Sequence, residues 1–406
     1  MMRKTDYGTI LLLIAVLLAF TTSGRAQETL KPGEVIGPNN AQKVKDMAGP
    51  ALLKRVQEGY TFTMGQPQPL NTPAAYIEAT KKYSAGVKIS PKDELVDYVA
   101  GLPFPNIDPK DPKAGLKVMY NFYWRYNGDT LALGHADGER VLLYYPIERS
   151  GDERHSKVIF YRLNPTSRIH SVPSTIPGYE GVDNLFFRMN SYPRDLAGTT
   201  FLIKRYRDAD RADDLWIYFP SLRRIRRFPT TQRCATIAPG EFNLDDVFLF
   251  DAKVTSFNYK LLGERKILTI VNQKHHPYKR KHGDFLPQDE LWQALDGYAV
   301  EITSKDPNYC YPKKIMYIEK TTWAGVRFEV YDKKGDLWKE SMGHFKNFPN
   351  GKGDEALGFA GVWIKNNQNG RSTVLETGIR YNIPVSHEFF SLATLEKATR
   401  GDVPDF

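Results

Sequence analysis

The sequence predicts an α+β fold in which an antiparallel β-sheet carries most of the chain. From residue 130 onward, short apolar or alternating runs are separated by clusters of turn residues, a pattern typical of strands. Helical patterns come before this region and again at the end of the chain, so helices and strands do not alternate as in a parallel βαβ fold. The 23 tyrosines and 22 phenylalanines also favour strands.

The first 26 residues have the pattern of a secretory signal peptide. Arg3 and Lys4 precede an apolar run over residues 10–20, and small residues, Gly24 and Ala26, stand just before the predicted cleavage site. The apolar run is shorter than the roughly 20 residues that a membrane span needs. We therefore expect export to the periplasm and a soluble mature protein, with an uncleaved signal anchor as the alternative.

The rest of the chain is predicted to form one structural unit with two parts. Residues 27–129 form a cover of helices and extended segments, and residues 130–406 form an antiparallel half-barrel that ends in a helix. Within the cover, residues 61–84 are rich in Pro, Gln and Thr and are predicted to be an extended arm. The closing helix is predicted over residues 389–399.

The cover is predicted to begin with two short helical segments, one capped by Asn39 and Asn40 and running through Met47, and one over residues 51–58. Two further helices are predicted after them. Ser90 suits a helix N-cap and Pro91 suits the first helical position, which predicts a helix over residues 91–100. A second helix is predicted over residues 112–126, because apolar residues recur there at helical spacing. The apolar face of this second helix consists of Leu116, Met119, Tyr120 and Tyr123.

Strands are predicted along nearly the whole region from residue 130 to residue 380. The sequence Lys-Lys-Gly-Asp at residues 333–336 predicts a hairpin turn between two of them. Another hairpin is predicted around Asn369 and Gly370. The predicted strands lie near residues 130–135, 140–148, 156–163, 183–190, 199–206, 214–219, 222–228, 247–260, 265–272, 298–304, 312–320, 325–332, 337–343, 356–367 and 370–380.

Residues 213–229 contain the most distinctive pattern in the chain. Residues 215–219 are apolar and aromatic throughout, so a strand here needs cover on both faces. After a turn at Pro220 and Ser221, the chain returns with apolar residues interspersed with four arginines. An aromatic wall beside an arginine edge suits a ligand with an apolar body and an acidic head. The candidates for lining a ligand cavity are Trp216, Tyr218, Phe219, Leu222, Tyr120 and Tyr98.

The four arginines form a second set of candidate site residues, for binding an acidic head group or a membrane-protein partner. Each set also has a purely structural interpretation. The aromatic residues could be ordinary core, and the arginines could form a solvated strand face or an edge protected against aggregation. The arginines are Arg223, Arg224, Arg226 and Arg227.

The chain has two cysteines, Cys234 and Cys310. In an oxidising compartment they could form a disulfide, but the sequence does not establish the distance between them. Metal ligation by two isolated cysteines is the weaker alternative.

The sequence offers no catalytic or metal-binding motif. Three histidines lie in the basic stretch of residues 274–284 without the ligand spacing of a zinc site, so we predict a basic surface loop that could contact anionic lipid. Nucleophile, phosphate-binding and zinc-protease motifs are missing. We therefore predict no enzyme, no cofactor and no metal. The net charge of +9 suits an anionic membrane surface, whereas export argues against a nucleic-acid partner.

Several motifs together resemble one family. The sequence is similar to large periplasmic proteins labelled outer-membrane lipoprotein-sorting proteins, a family with a domain of unknown function that is distantly related to the lipoprotein carriers of the Lol system. The resemblance covers most of the chain after residue 26. It is carried by YVAGLPFP (98–105), DLWIYFPSLRRIRR (214–227), YPKKIMYIEKTTW (311–323), YDKKGDLWK (331–339) and FSLATL (390–395).

The resemblance implies a curved, unclosed antiparallel β-barrel whose concave face is covered by helices. In the Lol carriers that hollow holds acyl chains, and members of the larger family are similar to partners of RND-type exporters. This chain is much longer than the Lol carriers and lacks the lipid-anchoring cysteine of the outer-membrane acceptor, which argues against lipoproteins themselves as cargo.

The leading hypothesis is therefore a non-enzymatic periplasmic carrier or chaperone for a lipid or another hydrophobic, acyl-bearing molecule. Strand aromatics would line its hollow, and the helices predicted over residues 91–100 and 112–126 would cover it. The alternatives are a cargo-free accessory subunit of an RND-type transporter, in contact with that transporter or an outer-membrane protein, and a hydrolase of lipid or polysaccharide.

Overall fold

The computed structural model describes residues 30–134, 141–229, 233–234, 236, 240–398 and 403. The predicted signal peptide at residues 1–26 lies outside the described residues. Within the described part of the chain, no helix is both long and apolar enough to cross a membrane.

The helices are few and short, as the sequence predicts. The helix predicted over residues 112–126 is present as α3, and the closing helix predicted over residues 389–399 is present as α4. The α-helices are α1 (Pro50–Gln57), α2 (Ala74–Tyr83), α3 (Ala114–Tyr123) and α4 (Leu392–Ala398). Short stretches of 3₁₀ helix span Pro38–Val44, Ser84–Gly86, Leu244–Leu249, Val254–Ser256 and His387–Phe389.

Seventeen of the described strands form one sheet, and two form a separate hairpin. The first strands are short: β1 (Val35–Ile36), β2 (Phe62–Met64), β3 (Lys88–Ile89), β4 (Leu95–Val96), β5 (Thr130–Gly134) and β6 (Leu142–Ile147). The middle strands are β7 (Ser156–Leu163), β8 (Val182–Tyr192), β9 (Thr200–Tyr206), β10 (Asp214–Phe219), β11 (Arg224–Phe228), β12 (Phe257–Ile270) and β13 (Leu291–Ser304). The last are β14 (Lys313–Glu319), β15 (Gly325–Tyr331), β16 (Leu337–Pro349), β17 (Glu355–Asn366), β18 (Ser372–Glu376) and β19 (Gly378–Tyr381).

The large sheet is antiparallel apart from one short pairing of β2 with β13. Its strand order runs from β11 through β10, β9, β8 and β7 to a position shared end to end by β6 and β5. The next position is shared by β18 and β19, and the order then descends from β17 through β16, β15, β14 and β13 to β12. The end strands β11 and β12 do not pair with each other, so the sheet is an unclosed barrel, as predicted.

Both faces of the sheet are covered, because alternate residues of its strands enter different cores. Along β10, Leu215 and Ile217 enter the core on the concave face, beside α3. Trp216 and Tyr218 point the other way and pack beneath α4. A third core lies on the convex face under α1 and includes Trp292 and Trp363.

The segment predicted as a helix over residues 91–100 is a β-hairpin instead, so this prediction is wrong. Strands β3 and β4 pair there, and the turn between them is closed by the N–H of Asp93, which donates to the carbonyl of Ser90. The Ser90 hydroxyl accepts the N–H groups of Lys92 and Glu94. A serine that satisfies the next N–H groups suits a turn as well as a helix N-cap, and the turn is formed here.

The predicted extended arm is also wrong in part, because α2 occupies its second half. This helix follows Pro73 and buries one side chain, Tyr76. Its apolar stripe is therefore too narrow to give a helical period in the sequence.

A predicted strand over residues 247–260 begins only at Phe257, so its first half is wrong. Residues 240–251, called the plug below, instead cross the concave face and pack into its core. The side chain of Asn243 accepts the N–H of Asp245, which starts the 3₁₀ turn. Phe248 and Leu249 then adopt left-handed backbone angles, with φ of 54° and 72°. Side chains at such angles are unfavourable in isolation, so tertiary contacts must hold the plug.

A buried carboxyl group where α1 meets the sheet makes stability depend on pH. Glu340 accepts the N–H of Ala51 in the first turn of α1, and burial raises the pKa of Glu340 to about 7 despite nearby Arg327. The unfolded chain ionises near the ordinary pKa of 4.5. Because the folded pKa is higher, this group costs stability progressively as pH rises from about 4.5 to about 7, and the cost then stays constant at about 3 kcal/mol or less.

We therefore expect Glu340→Gln to raise the free energy of unfolding at pH 8 by about 1–3 kcal/mol, with little change at pH 4.5. Urea denaturation at the two pH values measures this difference. Glu78→Gln, at an exposed position of α2, is the matched control and should change stability little at either pH. An equal effect of Glu340→Gln at both pH values would contradict the assignment.

Candidate functional site

The concave face and the plug enclose a cavity of about 70 Å³, called the inner cavity below. The sheet contributes apolar side chains from β5, β6, β7, β8, β17 and β18, and the plug closes the opposite side with Phe242, Val247, Phe248 and Leu249. The lining is therefore mostly aliphatic and aromatic, as in sites for apolar ligands. Its sheet-borne apolar residues include Leu133, Leu142, Val158, Phe160, Phe186 and Phe359.

One cation lies in the wall of the inner cavity. Arg188 of β8 is buried, donates a hydrogen bond of 3.0 Å to the Oδ1 atom of Asn190, and lies with its guanidinium 5.0 Å from the Phe201 ring centre. Burial lowers the pKa of Arg188 to about 10, so the side chain remains charged at neutral pH. The inner cavity thus combines a mostly apolar lining with the Arg188 cation, and the Asp246 carboxylate, paired with Lys314, also borders it.

Buried ionic contacts fix the plug to the sheet. The Asp246 carboxylate accepts hydrogen bonds from Lys314 Nζ at 3.1 Å and from the Tyr311 hydroxyl at 2.7 Å. Lys314 Nζ also donates to the carbonyl of Leu249 at 2.7 Å. This lysine therefore supports the plug at a side chain and at the backbone near its left-handed residues.

A second ionic group holds the ends of the plug. Arg205 of β9 contacts Asp213 and Asp251 at 3.0 Å each, and all three side chains are buried. Arg233 donates to Asp245 at 2.6 Å and also contacts Asp213. Since a buried charge is tolerated only when it is paired, these contacts specify the position of the plug.

Next to this ionic group, the structure joins Cys234 to Cys310 in a disulfide, with the two Cα atoms 5.7 Å apart. The Nδ2 atom of Asn243, at the start of the plug turn, lies 3.7 Å from the Cys310 sulfur. The plug is thus held by ion pairs with the sheet, and its Asn243 side chain lies beside the disulfide.

Two further hollows follow the inner cavity, each sharing lining residues with the one before it. A narrow space of about 20 Å³, called the neck, shares Phe248 and Phe359 with the inner cavity and is also lined by Arg125. An open groove of about 690 Å³, called the outer groove, shares Asn71 and Thr72 with the neck. Among the described residues, the three spaces are thus neighbours in series, with Phe248 and Phe359 between the inner cavity and the neck.

Residues 35–395 match the family described as "Protein of unknown function (DUF1329)". The chain belongs to this family. An uncharacterized protein of Pseudomonas aeruginosa is 24% identical over 340 residues, which cover 78% of this chain and 70% of the relative. The resemblance inferred from the motifs is thereby confirmed.

Two solved structures share the fold at low sequence identity. A "putative outer membrane lipoprotein-sorting protein domain" from Vibrio parahaemolyticus aligns with a TM-score of 0.51 and 19% identity, covering 70% of this chain and all of that domain. A DUF1329 family protein from Desulfovibrio piger gives the same TM-score, identity and coverage. These similarities confirm the curved, open antiparallel sheet.

The six predicted cavity residues do not line the inner cavity. Trp216 and Tyr218 lie on the convex side beneath α4, where they serve as core. Phe219 packs against Phe228 with ring centres 6.0 Å apart, and Leu222 is exposed in the following turn. The aromatic strand is thus accounted for by the packing of two cores.

The two predicted cavity residues from the cover, Tyr120 and Tyr98, make local structural contacts. Tyr120 of α3 donates its hydroxyl to the carbonyl of Asp93, fixing α3 to the β3–β4 hairpin. Tyr98 packs its ring 4.7 Å from that of Trp124 and donates to the carbonyl of Gly101. Both side chains therefore hold the cover together.

The four predicted arginines are exposed on and beside β11, at one end of the large sheet. Arg227 forms an ion pair with Asp214 of β10. Arg223 lies in the turn with a left-handed φ of 47°. These side chains face solvent rather than a cavity, which leaves them available for a partner.

Sequence reasoning missed the cations that the fold buries. Arg162, Arg188 and Arg205 each interrupt an apolar strand, and each is at most 6% exposed. The sequence did contain a signal for them, because a charged residue within a strand that is covered on both faces must itself be buried. The histidine stretch was expected to carry no metal. Among the described residues, no group of His, Cys, Asp and Glu side chains is arranged to hold an ion.

Proposed function

We propose that this protein is a non-enzymatic periplasmic carrier of a lipid or another hydrophobic, acyl-bearing molecule. The observation that carries the proposal is the inner cavity, an apolar space between the concave face and a plug that is not a strand of the sheet. An acyl chain gains about 0.8 kcal/mol for each CH₂ group that it buries. A water-soluble carrier needs such a space and a cover that excludes water from it.

The size of the inner cavity indicates a closed, unloaded form. A water molecule needs about 10–15 Å³ of such space, so 70 Å³ corresponds to roughly five waters. A long acyl chain needs more room, and loading must displace part of the lining. The plug is the element suited to move, because polar and apolar side-chain contacts hold it on the sheet and it is not paired with the sheet as a strand.

The fold supports the same class of function. The Vibrio domain of this fold is described as a lipoprotein-sorting protein, and a curved open sheet offers a concave face on which acyl chains can be held. The cargo of this chain is proposed from its own cavity and not from that description.

The direct test is to purify the protein gently from its envelope fraction and to analyse an organic extract by mass spectrometry. A fluorescent long-chain fatty acid provides the matching binding assay. We expect a co-purifying acyl compound and saturable probe binding. Empty protein that also ignores the probe would contradict the proposal.

Filling the inner cavity should abolish probe binding while leaving the fold intact. Val158 points into the inner cavity from β7, so Val158→Phe is expected to weaken probe binding at least tenfold and to cost about 1–3 kcal/mol of stability through overpacking. The matched control is Val35→Phe, at an exposed position of β1. Fluorescence titration and thermal unfolding check both variants; unchanged binding by folded Val158→Phe would exclude the inner cavity as the site.

The exposed arginines favour a second candidate function, docking of β11 to an envelope transporter or outer-membrane protein. An end strand with free pairing groups and exposed arginines suits an acidic partner strand. A cargo-free accessory subunit would give crosslinks to a membrane protein but an empty organic extract. The two functions are therefore separable by the same purification.

A further inference from the structure

One arginine in the neck lacks the ion pair that its neighbours have. Arg125, just after α3, donates to the carbonyl of Phe122 at 2.6 Å, and its guanidinium lies 4.3 Å from the Phe122 ring centre. Within the described part of the chain, no carboxylate forms an ion pair with it. By contrast, nearby Arg162 and Arg205 both contact Asp251.

The Arg125 side chain remains protonated at neutral pH, although its surroundings make the charge energetically unfavourable. Burial and the nearby Arg162 lower the pKa of Arg125 to about 10, so the guanidinium is protonated at neutral pH. A partly buried cation without a counter-ion is unfavourable, and an anionic ligand group would relieve that cost. The neck is also lined by Asn71 and Asn127, whose Nδ2 groups already donate to Glu355 and to the carbonyl of Arg125. Each amide has a second N–H that a carboxylate could accept.

The position of Arg125 relates this charge to the inner cavity. Its guanidinium lies 5.7 Å from the ring centre of Phe248, which lines both the neck and the inner cavity together with Phe359. An acyl chain that reaches from the neck into the inner cavity would therefore pass these two rings. On the other side, the neck continues into the outer groove.

We propose that the neck binds the carboxylate head of a single-chain fatty acid at Arg125, while its acyl chain passes Phe248 into the inner cavity. The outer groove is then the entrance through which the ligand arrives. This inference rests on the proposed carrier function and adds the ligand class and its orientation. A narrow neck admits one chain with a small head better than the two chains of a phospholipid.

The other cations of the protein fit this role less well. Arg188 lies beyond Phe248 in the inner cavity and already donates to Asn190. The arginines of β11 lie on the exposed end of the sheet. Arg125 alone among these candidates lies where an apolar chain can continue inward while the head remains near the outer groove.

The test compares a fluorescent long-chain fatty acid with its methyl ester, which has the same chain and no charge. A charge-assisted hydrogen bond contributes about 1.5–3 kcal/mol, so the wild-type protein should bind the acid about ten- to hundredfold more tightly than the ester. Arg125→Gln should remove this preference by weakening the acid alone. Arg125→Lys should keep part of it, because the charge remains.

Arg265→Gln is the matched control, since Arg265 is an exposed arginine that also donates to a backbone carbonyl, that of Glu264. It should retain the full preference for the acid. Thermal unfolding shows whether each variant is folded. If Arg125→Gln does not fold, the test of the head-group site rests on the acid-to-ester affinity ratios of the wild-type protein and of Arg125→Lys.

The outcomes separate this inference from the proposed function. If wild-type protein binds acid and ester equally well, the carrier function stands and the head-group site at Arg125 is wrong. If Arg125→Gln is folded and still prefers the acid, the head lies elsewhere. If wild-type protein binds neither probe, the carrier function itself fails.

Discussion

Lys314→Met is expected to lower the free energy of unfolding by about 3–5 kcal/mol, because it leaves the buried Asp246 carboxylate without its cation. Both side chains are at most 5% exposed. Burial lowers the pKa of Lys314, whereas the nearby Asp246 carboxylate opposes this effect and stabilises the charged form of the lysine. Methionine replaces the aliphatic stem but not the hydrogen bonds to Asp246 and to the Leu249 carbonyl.

The control for this change is Lys320→Met, which removes a lysine of a solvent-accessible pair with Glu264 at 2.6 Å. Ion pairs in contact with solvent contribute little, so this variant should change the free energy of unfolding by no more than about 0.5 kcal/mol. Urea denaturation at neutral pH measures both. Similar small effects in the two variants would mean that the Lys314–Asp246 pair does not hold the plug.

The strands were the most predictable part of the fold, since their signal is local. β7 and β10 coincide with the predicted residues 156–163 and 214–219. Their apolar residues alternate or run continuously because the sheet buries both of its faces. The predicted turn at residues 333–336 is present for a similar reason: Gly335 takes a φ of 88°, a conformation that glycine adopts readily.

The plug was not predictable because its conformation depends on distant residues. Its apolar residues resemble a strand, but its carboxylates meet cations that lie far along the chain, such as Lys314 for Asp246 and Arg205 for Asp251. These contacts outweigh local preference and hold Phe248 in a left-handed conformation. The hairpin at Ser90 failed for a different reason, because one hydroxyl can satisfy N–H groups in either a helix or a turn.

The position of the candidate site was not predictable from the sequence. The inner cavity and the neck combine apolar side chains with arginine at Arg188 and Arg125, but none of the predicted site residues lines either space. The most conspicuous aromatic strand is core, since Trp216 and Tyr218 are needed beneath α4. A run of aromatic residues in the sequence can identify a strand. A cavity, by contrast, forms between several strands and the plug, which are far apart in the sequence.

Removing the disulfide is expected to produce a loss of similar size to that of Lys314→Met. Cys234 and Cys310 are 76 residues apart, and a crosslink that closes such a loop restricts the unfolded chain by about 4 kcal/mol in the chain-entropy model. The double substitution Cys234→Ser and Cys310→Ser should therefore lower the free energy of unfolding by about 2–4 kcal/mol. Because the crosslink acts mainly on the unfolded chain, the folded sheet should keep its circular-dichroism spectrum.

A reductant provides the internal control for this prediction. Dithiothreitol should lower the urea midpoint of the wild-type protein to that of the double variant, and it should leave the double variant unchanged. The plug gives a second readout, since Asn243 contacts the Cys310 sulfur: a bound fatty-acid probe should dissociate faster once the disulfide is reduced. A wild-type midpoint that does not respond to reductant under denaturing conditions would mean that the two cysteines are not joined in the protein as isolated. In that case the plug would be held on the sheet by its ionic and apolar contacts without the neighbouring crosslink, and the Lys314→Met variant should then lose probe affinity as well as stability.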